Sequence, residues 1–359
     1  MRIAFDATAL YGRRGGIENA LWNTFSHLRA LDRENRYLVF VPRDAPTPPP
    51  PENALWEWRR LSFDGHNKAR RILWQQLELP LLLRREKCDI LHAWNYVAPA
   101  HSPVPVVLTV QDLIALNRPR FATRANRFHY RAMMPRNLKT AARVLVTTPK
   151  IKAEVLRRAP RADVRVIPLG IDEIFFETPC AASVEAVRRN YELPPRFLLY
   201  VGNFEPKKNL PGLLQALKML PDAPPLVIAG GIKPWPQTEK MLRGVQKLGF
   251  IPREDLPLIY GICEAFCFPS LCEGFGLPVL EALACGTKVL ASKAVPIPGL
   301  SSVAELCEPR FPGSIAASLE RLLQSPDSSA QWSARRDFAA QFRWENAARD
   351  TLAVYREFL

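Results

Sequence analysis

The sequence lacks the long apolar segment that a membrane-spanning helix requires. No apolar run approaches the roughly 20 residues that cross a bilayer, although 48% of the 359 residues are hydrophobic. A secretory signal is also missing, because residues 1–6 begin directly with a strand-like run. We therefore expect a globular cytoplasmic protein of about two domains.

Cysteine is scarce, and its spacing excludes a disulfide framework and a metal finger. The seven cysteines are an odd number in mostly apolar surroundings. Cys263, Cys267 and Cys272 cluster, but they lack the paired spacing and the neighbouring histidines of a metal site. We expect buried, reduced thiols, as in a cytoplasmic protein, and no bound metal.

Acidic residues are missing from residues 113–153, which carry ten Lys or Arg. Residues 1–172 hold 29 of the 49 basic residues and 15 of the 35 acidic ones, so the net charge of +14 lies entirely in that half. A second basic cluster, at 68–87, surrounds Trp74 and five leucines. This pattern favours adsorption to an anionic membrane, with a solvated basic helix as the alternative. Nucleic-acid binding is not expected, because no binding motif accompanies the charge.

Apolar runs alternate with helical stretches along the whole chain, which predicts parallel sheets with helical crossovers. We predict strands at residues 3–5, 37–41, 90–92, 106–110, 144–147, 165–167, 197–201, 226–229, 266–268 and 289–291. The fold class is therefore α/β with two doubly wound domains, divided near 167–172, where a strand ends in Pro and Gly. Such folds bind ligands at the carboxyl ends of their strands, so we expect a ligand cleft between the domains.

Residues 269–286 set two carboxylates eight residues apart around a glycine turn. Gly274 and Gly276 allow the backbone to approach a ligand closely, and the helix that follows offers an anion site at its N-terminus. Because carboxylates do not bind anions, Glu273 and Glu281 suit hydroxyl groups. A nucleotide sugar offers hydroxyls and a diphosphate together. The alternative is an ordinary helix with a surface glutamate.

Other polar groups also follow predicted strands. Gly15 and Gly16 open a helix after the first strand, and Lys207 and Lys208 lie in the loop after the strand at 197–201. Further along, Gln111 and Asp112 follow the strand at 106–110, while His92 ends the strand at 90–92. For His92 we expect a structural role, with its ring satisfied by the backbone.

These motifs together resemble glycosyltransferase family 4, whose members are retaining enzymes of the GT-B fold, and within it bacterial mannosyltransferases of surface-polysaccharide assembly. The resemblance rests on the order and spacing of Glu273-x7-Glu281 and of residues 15–18, 166–172, 200–209, 249–256 and 342–345. It implies two Rossmann-like domains facing a central cleft. Residues 1–172 would bind the acceptor, residues 173–335 would bind the donor, and a helix at about 336–359 would cross back to the first domain.

The resemblance also implies a role for each motif residue. Glu281 would bind the donor ribose, Glu273 the transferred sugar, and Lys208 the diphosphate leaving group. The catalytic set would be Lys208, Glu273, Gln111 and Asp112. Further donor contacts would come from Gly15, Gly16, Asn203, Lys207, Ile251, Gly274, Phe275, Gly276 and Leu277.

Two positions depart from the family pattern. Gln111 stands where the family commonly has histidine, and glutamine can donate a hydrogen bond but cannot titrate. Retaining transfer does not need that base, because a departing phosphate oxygen can take the proton of the acceptor. Asn203 stands where some relatives carry arginine, which shifts the neutralisation of phosphate towards Lys208.

The resemblance therefore implies a hexosyltransferase without a metal or other cofactor. GDP-mannose is the first donor to test, and the expected acceptor is a lipid-linked saccharide at the inner face of the plasma membrane. Two alternatives stay open. An inactive nucleotide-sugar-binding partner subunit is compatible with Gln111. A nicotinamide-dependent oxidoreductase is disfavoured, because the loop at 12–16 lacks the G-x-G-x-x-G spacing and Asp44 follows too late.

Overall fold

A computed structural model describes residues 1–12, 15–46, 55–94, 96–121, 124–231 and 241–359, with the side chains of 124–126 excepted. The chain forms two compact units. The first comprises Met1–Gly170 and Trp344–Leu359, and the second comprises Ile171–Arg343. Each unit contains one parallel sheet, so the predicted α/β class with two parallel-sheet domains is confirmed.

The sheet of the first unit has seven parallel strands among the described residues, in the order β3-β2-β1-β4-β5-β6-β7. Its central strands are apolar on both faces because helices cover both sides. The strands are β1 (Arg2–Asp6), β2 (Arg36–Val41), β3 (Trp56–Arg60), β4 (Ile90–Ala93), β5 (Val106–Val110), β6 (Arg143–Val146) and β7 (Val164–Val166).

The helices of the first unit pack against this sheet. A π-helical turn, Trp74–Glu78, joins two of them into one continuous segment, and its Trp74 is fully buried in the core beside Phe40. The helices are α1 (Gly16–Leu31), α2 (Lys68–Leu73), α3 (Leu79–Arg85), α4 (Ile114–Asn117), α5 (Arg124–Thr140) and α6 (Pro149–Arg158), with a 3-10 turn at Pro119–Phe121.

The described residues of the second unit form a six-stranded parallel sheet, in the order β10-β9-β8-β11-β12-β13. Its strands are β8 (Leu198–Val201), β9 (Leu226–Ala229), β10 (Gln246–Gly249), β11 (Ala265–Phe268), β12 (Val289–Ser292) and β13 (Glu305–Cys307). Its helices are α7 (Ala181–Asn190), α8 (Leu210–Leu217), α9 (Leu256–Ile262), α10 (Leu277–Ala284), α11 (Pro312–Gln324) and α12 (Ser329–Ala339). Short 3-10 turns lie at Glu173–Phe176, Pro206–Lys208 and Leu300–Ser302.

The last helix, α13 (Trp344–Arg356), belongs to the first unit, and it begins later than predicted. The prediction assigned 171–172 to the first domain and started the returning helix at about 336. In the structure, residues 336–343 stay with the second unit, because Ile171 bridges to Arg343 and its N–H donates to the carbonyl of Phe342. In the structure the first unit therefore ends at Gly170 and resumes at Trp344.

His92, at the end of β4, is a buried structural residue. Its Nδ1 hydrogen-bonds with the hydroxyl of Tyr355 (2.5 Å) on α13, and its Nε2 with that of Thr109 (2.7 Å). Burial lowers the pKa of His92 to about 3. The expectation of backbone partners was wrong, since two side chains satisfy the ring, and one of them fastens α13 to the first sheet.

None of the seven cysteines, all of which lie within the described ranges, forms a disulfide. Five of them are buried as predicted, whereas Cys285 is half-buried and Cys180 is exposed. None of the helices in the described part of the chain combines the length and hydropathy of a membrane-spanning segment.

Candidate functional site

The structure brings together Lys208 and Glu273, two predicted site residues that are 65 positions apart. Lys208 ends the 3-10 turn after β8, and Glu273 lies in the loop after β11, so the neighbouring strands deliver both to the carboxyl edge of the second sheet. The Lys208 Nζ lies 2.8 Å from the Glu273 Oε1, with the side chains only 16% and 8% exposed. The ammonium group is also 4.6 Å from the centroid of the Phe268 ring. A largely desolvated cation is thus held in place beside a carboxylate.

Two buried hydroxyls near this pair have no hydrogen-bond partner among the described residues. They are the Tyr200 hydroxyl, on β8, and the Ser270 Oγ, in the Glu273 loop. Burial raises the pKa of Tyr200, and the charge of Glu273 raises it further, which places the phenol close to that carboxylate. Buried hydroxyls without a partner are rare in proteins. The Tyr200 and Ser270 hydroxyls could therefore each still form a hydrogen bond near the ion pair.

Gly276 forms the turn that leads into α10. Its φ of 111° lies in the left-handed region, and an added Cβ would approach the Val295 Cγ1 to 2.9 Å. Both facts demand glycine. No side chain within the described ranges caps α10. Pro278 has no N–H and the Val279 N–H donates to the Gly276 carbonyl, which leaves the N–H of Leu277 at the start of the helix for an anion. The predicted glycine turn before a helix is therefore present.

Glu281 lies within α10 and is only 6% exposed. Its Oε1 accepts from the Arg253 Nη2 (3.2 Å), and its Oε2 accepts from the Tyr260 hydroxyl (3.4 Å). Burial raises the pKa of Glu281, an effect that the Arg253 charge opposes. Arg253 also donates through its Nε to Asp172 and lies over the ring of Phe175. Glu281 is thus the inner end of an ion-pair chain.

Arg253 was missed by the sequence reasoning. The motif at 249–256 was recognised, but its arginine was given no role. The signal was a basic residue directly after Ile251-Pro252, in a segment that the resemblance assigned to donor contacts. Its carboxylate partners are 28 and 81 residues away, so only the fold identifies them.

The remaining predicted donor residues occupy varied positions in the second unit. Asn203 is exposed, and Lys207 pairs with Glu205 at 3.2 Å. Ile251 is buried just beyond β10. The ring of Phe275 is buried against Phe342, which leaves its backbone rather than its side chain to face a ligand.

In the first unit, Gln111 and Asp112 follow β5 as predicted. Gln111 is buried, and its Nε2 has no partner among the described residues. The Asp112 carboxylate accepts from the N–H of Ile114 (2.9 Å) and from the Tyr96 hydroxyl (3.3 Å). The buried Gln111 amide can therefore donate a hydrogen bond to a ligand, and it lies next to the Asp112 carboxylate, whose position is fixed by its own hydrogen bonds.

Gly15 and Gly16 form the N-terminus of α1, again at the carboxyl edge of a sheet. A Cβ added to either glycine would meet no described atom within 4 Å. Packing in this structure therefore does not demand glycine there, and close approach of a ligand is a physical reason for it. Within the described ranges, no three His, Cys, Asp or Glu side chains are grouped so that they could hold a metal ion.

Two doubly wound parallel-sheet units with polar groups at the carboxyl edges define a protein of the GT-B class. Residues 14–174 match the family model of Glycosyltransferase Family 4, and residues 184–337 match that of Glycosyl transferases group 1. Sucrose-phosphate synthase from Thermosynechococcus elongatus superposes with a TM-score of 0.79 over 99% of this chain and 98% of that chain, at 21% identity.

Relatives that are similar in sequence include two bacterial glycosyltransferases. The O-antigen chain mannosyltransferase B of Escherichia coli is 29% identical over 290 residues, which cover 76% of each chain. The D-inositol 3-phosphate glycosyltransferase of Mycolicibacterium smegmatis is 30% identical over 298 residues, covering 74% of this chain and 67% of the relative. This chain therefore belongs to glycosyltransferase family 4.

Proposed function

We propose that this protein is a retaining hexosyltransferase that moves mannose from GDP-mannose to a growing, lipid-linked cell-surface saccharide. The buried Lys208–Glu273 pair carries the proposal, because it holds a cation for a diphosphate beside a carboxylate for sugar hydroxyls. Similarity to an O-antigen chain mannosyltransferase supports the choice of mannose and of a surface polysaccharide.

In the proposed reaction, the bond between the anomeric carbon and the diphosphate oxygen breaks while an acceptor hydroxyl bonds to the same face of that carbon. The departing oxygen takes the acceptor proton, and the nucleoside diphosphate leaves. Negative charge grows on the diphosphate, so Lys208 and the backbone N–H groups of the turn at 274–277 stabilise the transition state more than the ground state. This route uses no metal ion, and metal independence stays a prediction.

Two further assignments are part of this proposal. Gln111 would hydrogen-bond to a hydroxyl of the transferred sugar through its unpartnered Nε2, while Asp112 holds the surrounding loop. Gly15 and Gly16 would approach the donor phosphates. Because Gln111 cannot titrate, no step depends on a histidine at that position.

The experiment that tests this function is transfer with a panel of nucleotide sugars, followed by proton NMR of the product linkage. We expect GDP-mannose to be used and the α-configuration of the donor to be kept. A β-linked product from an α-donor would refute retention. Tight binding of the donor, with neither transfer nor slow hydrolysis of that donor, would instead indicate an inactive partner subunit.

Glu281→Gln should weaken the binding of free nucleoside diphosphate, by about tenfold, because a charged acceptor for the ribose hydroxyls becomes neutral. Calorimetric titration with GDP measures this. Glu264→Gln is the matched control, since Glu264 also pairs with an arginine, Arg196, but at the surface. An affinity for GDP that Glu281→Gln leaves unchanged would remove Glu281 from the ribose site.

A further inference from the structure

A separate polar pocket lies at the carboxyl edge of the first sheet. Its lining includes Thr8, Arg71, Gln75, Val97, His129 and Tyr130. Thr8 follows β1 and Val97 follows β4, whereas the other four residues come from the helical segment beginning with α2 and from α5. None of these residues has a role in the donor chemistry above.

The polar wall of this pocket is preformed. The buried Asp6 carboxylate accepts from the Thr8 hydroxyl (2.7 Å) and from the Gln75 Nε2 (2.6 Å). The same Gln75 nitrogen donates to the carbonyl of Val97 (3.1 Å), which ties α2 and its π-helical extension to the ends of two strands. The Asp6 carboxylate below the pocket therefore already accepts hydrogen bonds from two protein side chains.

Positive groups crowd around the pocket. The Lys68 Nζ lies 5.6 Å from the centroid of the Tyr130 ring, and the Arg71 Cζ lies 5.9 Å from that of Tyr11. Burial lowers the pKa of Lys68, and the charge of Arg71 lowers it further. Burial also lowers the pKa of His129, to about 4, and Lys68 and Arg71 add to that effect. The charge of Arg71 disfavours the charged form of Lys68, so an anion bound beside both side chains would be attracted by both.

The pocket also adjoins Asp112. The Tyr96 hydroxyl donates to the Asp112 Oδ2 (3.3 Å), and the Tyr96 ring packs edge-on against Tyr130, with centroids 5.6 Å apart. Next to His129, the Phe128 side chain is 81% exposed. Tyr130, which lines the pocket, is therefore linked through Tyr96 to Asp112, a residue of the predicted catalytic set.

We propose that this pocket is a subsite for the phosphate of the acceptor, with Arg71 and Lys68 as the ligands of a glycosyl phosphate or diphosphate. The inference rests on the proposed function, because it takes the first unit as the acceptor side. Arg71 offers a planar fork of donors that matches phosphate oxygens, and Lys68 adds a point charge. Tyr11 and Tyr130 offer ring faces against which the attached sugar can pack.

Direct binding tests the pocket without requiring turnover. Inorganic pyrophosphate and farnesyl diphosphate are titrated by calorimetry into the full chain carrying Lys208→Ala, which removes the main phosphate cation of the donor site. Adding Arg71→Gln or Lys68→Gln should weaken pyrophosphate binding at least about tenfold. Arg157→Gln, an exposed arginine on α6, is the charge-matched control and should change little. Pyrophosphate should also shift the NMR signal of the His129 ring. That signal is assigned as the one that disappears in the His129→Gln variant.

The two probes distinguish the source of the phosphate. Tighter binding of farnesyl diphosphate supports a lipid-linked acceptor whose chain contacts Phe128, whereas equal binding supports the pocket with a soluble glycosyl phosphate. Pyrophosphate affinity unaffected by both Arg71→Gln and Lys68→Gln, with an unshifted His129 signal, would overturn the inference. Failure of the proposed function is distinguishable, since that function is tested by transfer and slow donor hydrolysis in the unsubstituted protein.

Discussion

Lys208→Ala should reduce turnover about 10²–10³-fold, comparable to the loss of one preorganised oxyanion donor. The lysine is only 16% exposed and already paired, so its charge needs little reorganisation when negative charge grows on a diphosphate. A surface lysine, screened by water, would contribute far less. Steady-state transfer with a saturating donor measures the effect, because removing a cation that acts mainly in the transition state lowers kcat.

The same substitution leaves the buried Glu273 carboxylate without its cationic partner. Lys208→Ala should therefore also lower the free energy of unfolding by a few kcal/mol. Turnover is therefore measured well below the melting temperature. The double variant Lys208→Ala with Glu273→Gln removes the unpaired charge and should recover stability without recovering turnover. Lys218→Ala, at the exposed end of α8, is the control. Nearly full turnover in folded Lys208→Ala would leave this lysine with a structural role alone.

The ten predicted strands all exist, while three observed strands were missed, namely β3, β10 and β13. All three lie at the end of a sheet. An end strand has one neighbour and can keep part of its surface in water, so it does not need the apolar run that marks a central strand. β10, Gln246–Gly249, shows this clearly, because none of its residues is buried. Hydrophobic pattern therefore identified the interior of each sheet but not its full width.

The candidate site shows a similar limit. Motif order placed Lys208 and Glu273 at strand ends, and the structure shows that the two strands are neighbours and that the side chains pair directly. The same reasoning assigned Glu281 to a ribose but could not supply its ion pair, because Arg253 reaches it from another segment. Local sequence predicts which strand end carries a polar group. The pairing of charges between segments depends on tertiary packing, which a single sequence does not display.

The uneven charge of the chain leads to the second large prediction, which concerns membrane binding. Along the continuous segment from α2 to α3, Leu73, Leu77 and Leu81 recur every four residues and are 52%, 64% and 63% exposed. Trp74, Leu79 and Leu83 of the same segment are buried in the core. Exposed basic side chains follow on the same segment, at Arg84 and Arg85, and others lie on α5, at Arg131, Arg136 and Lys139. The side chain of Arg124 lies outside the described residues.

We propose that this surface, the three leucines and the basic residues of 68–87 and 118–152, docks on an anionic membrane. An apolar row beside cations is complementary to a bilayer whose acyl chains lie beneath anionic headgroups. Each basic residue near the surface contributes about 1 kcal/mol, and this attraction fades beyond a Debye length of about 10 Å at 0.1 M salt. Soluble acceptors would not require such a surface, whereas a lipid-linked acceptor would be presented at it.

Liposome flotation should therefore recover the protein on vesicles containing phosphatidylglycerol at low salt, and recovery should fall steeply as salt rises. Substituting Leu73, Leu77 and Leu81 together by serine should weaken binding at least about a hundredfold, since burying each leucine contributes about 1.5–3 kcal/mol when it is complete. Phe311→Ser is the control, because Phe311 is equally exposed at 64% but lies in the second unit, outside this surface. Equal recovery on neutral and anionic vesicles, or on neither, would contradict docking. In that case the basic side chains are only part of the solvated surface, and a soluble acceptor becomes the better expectation.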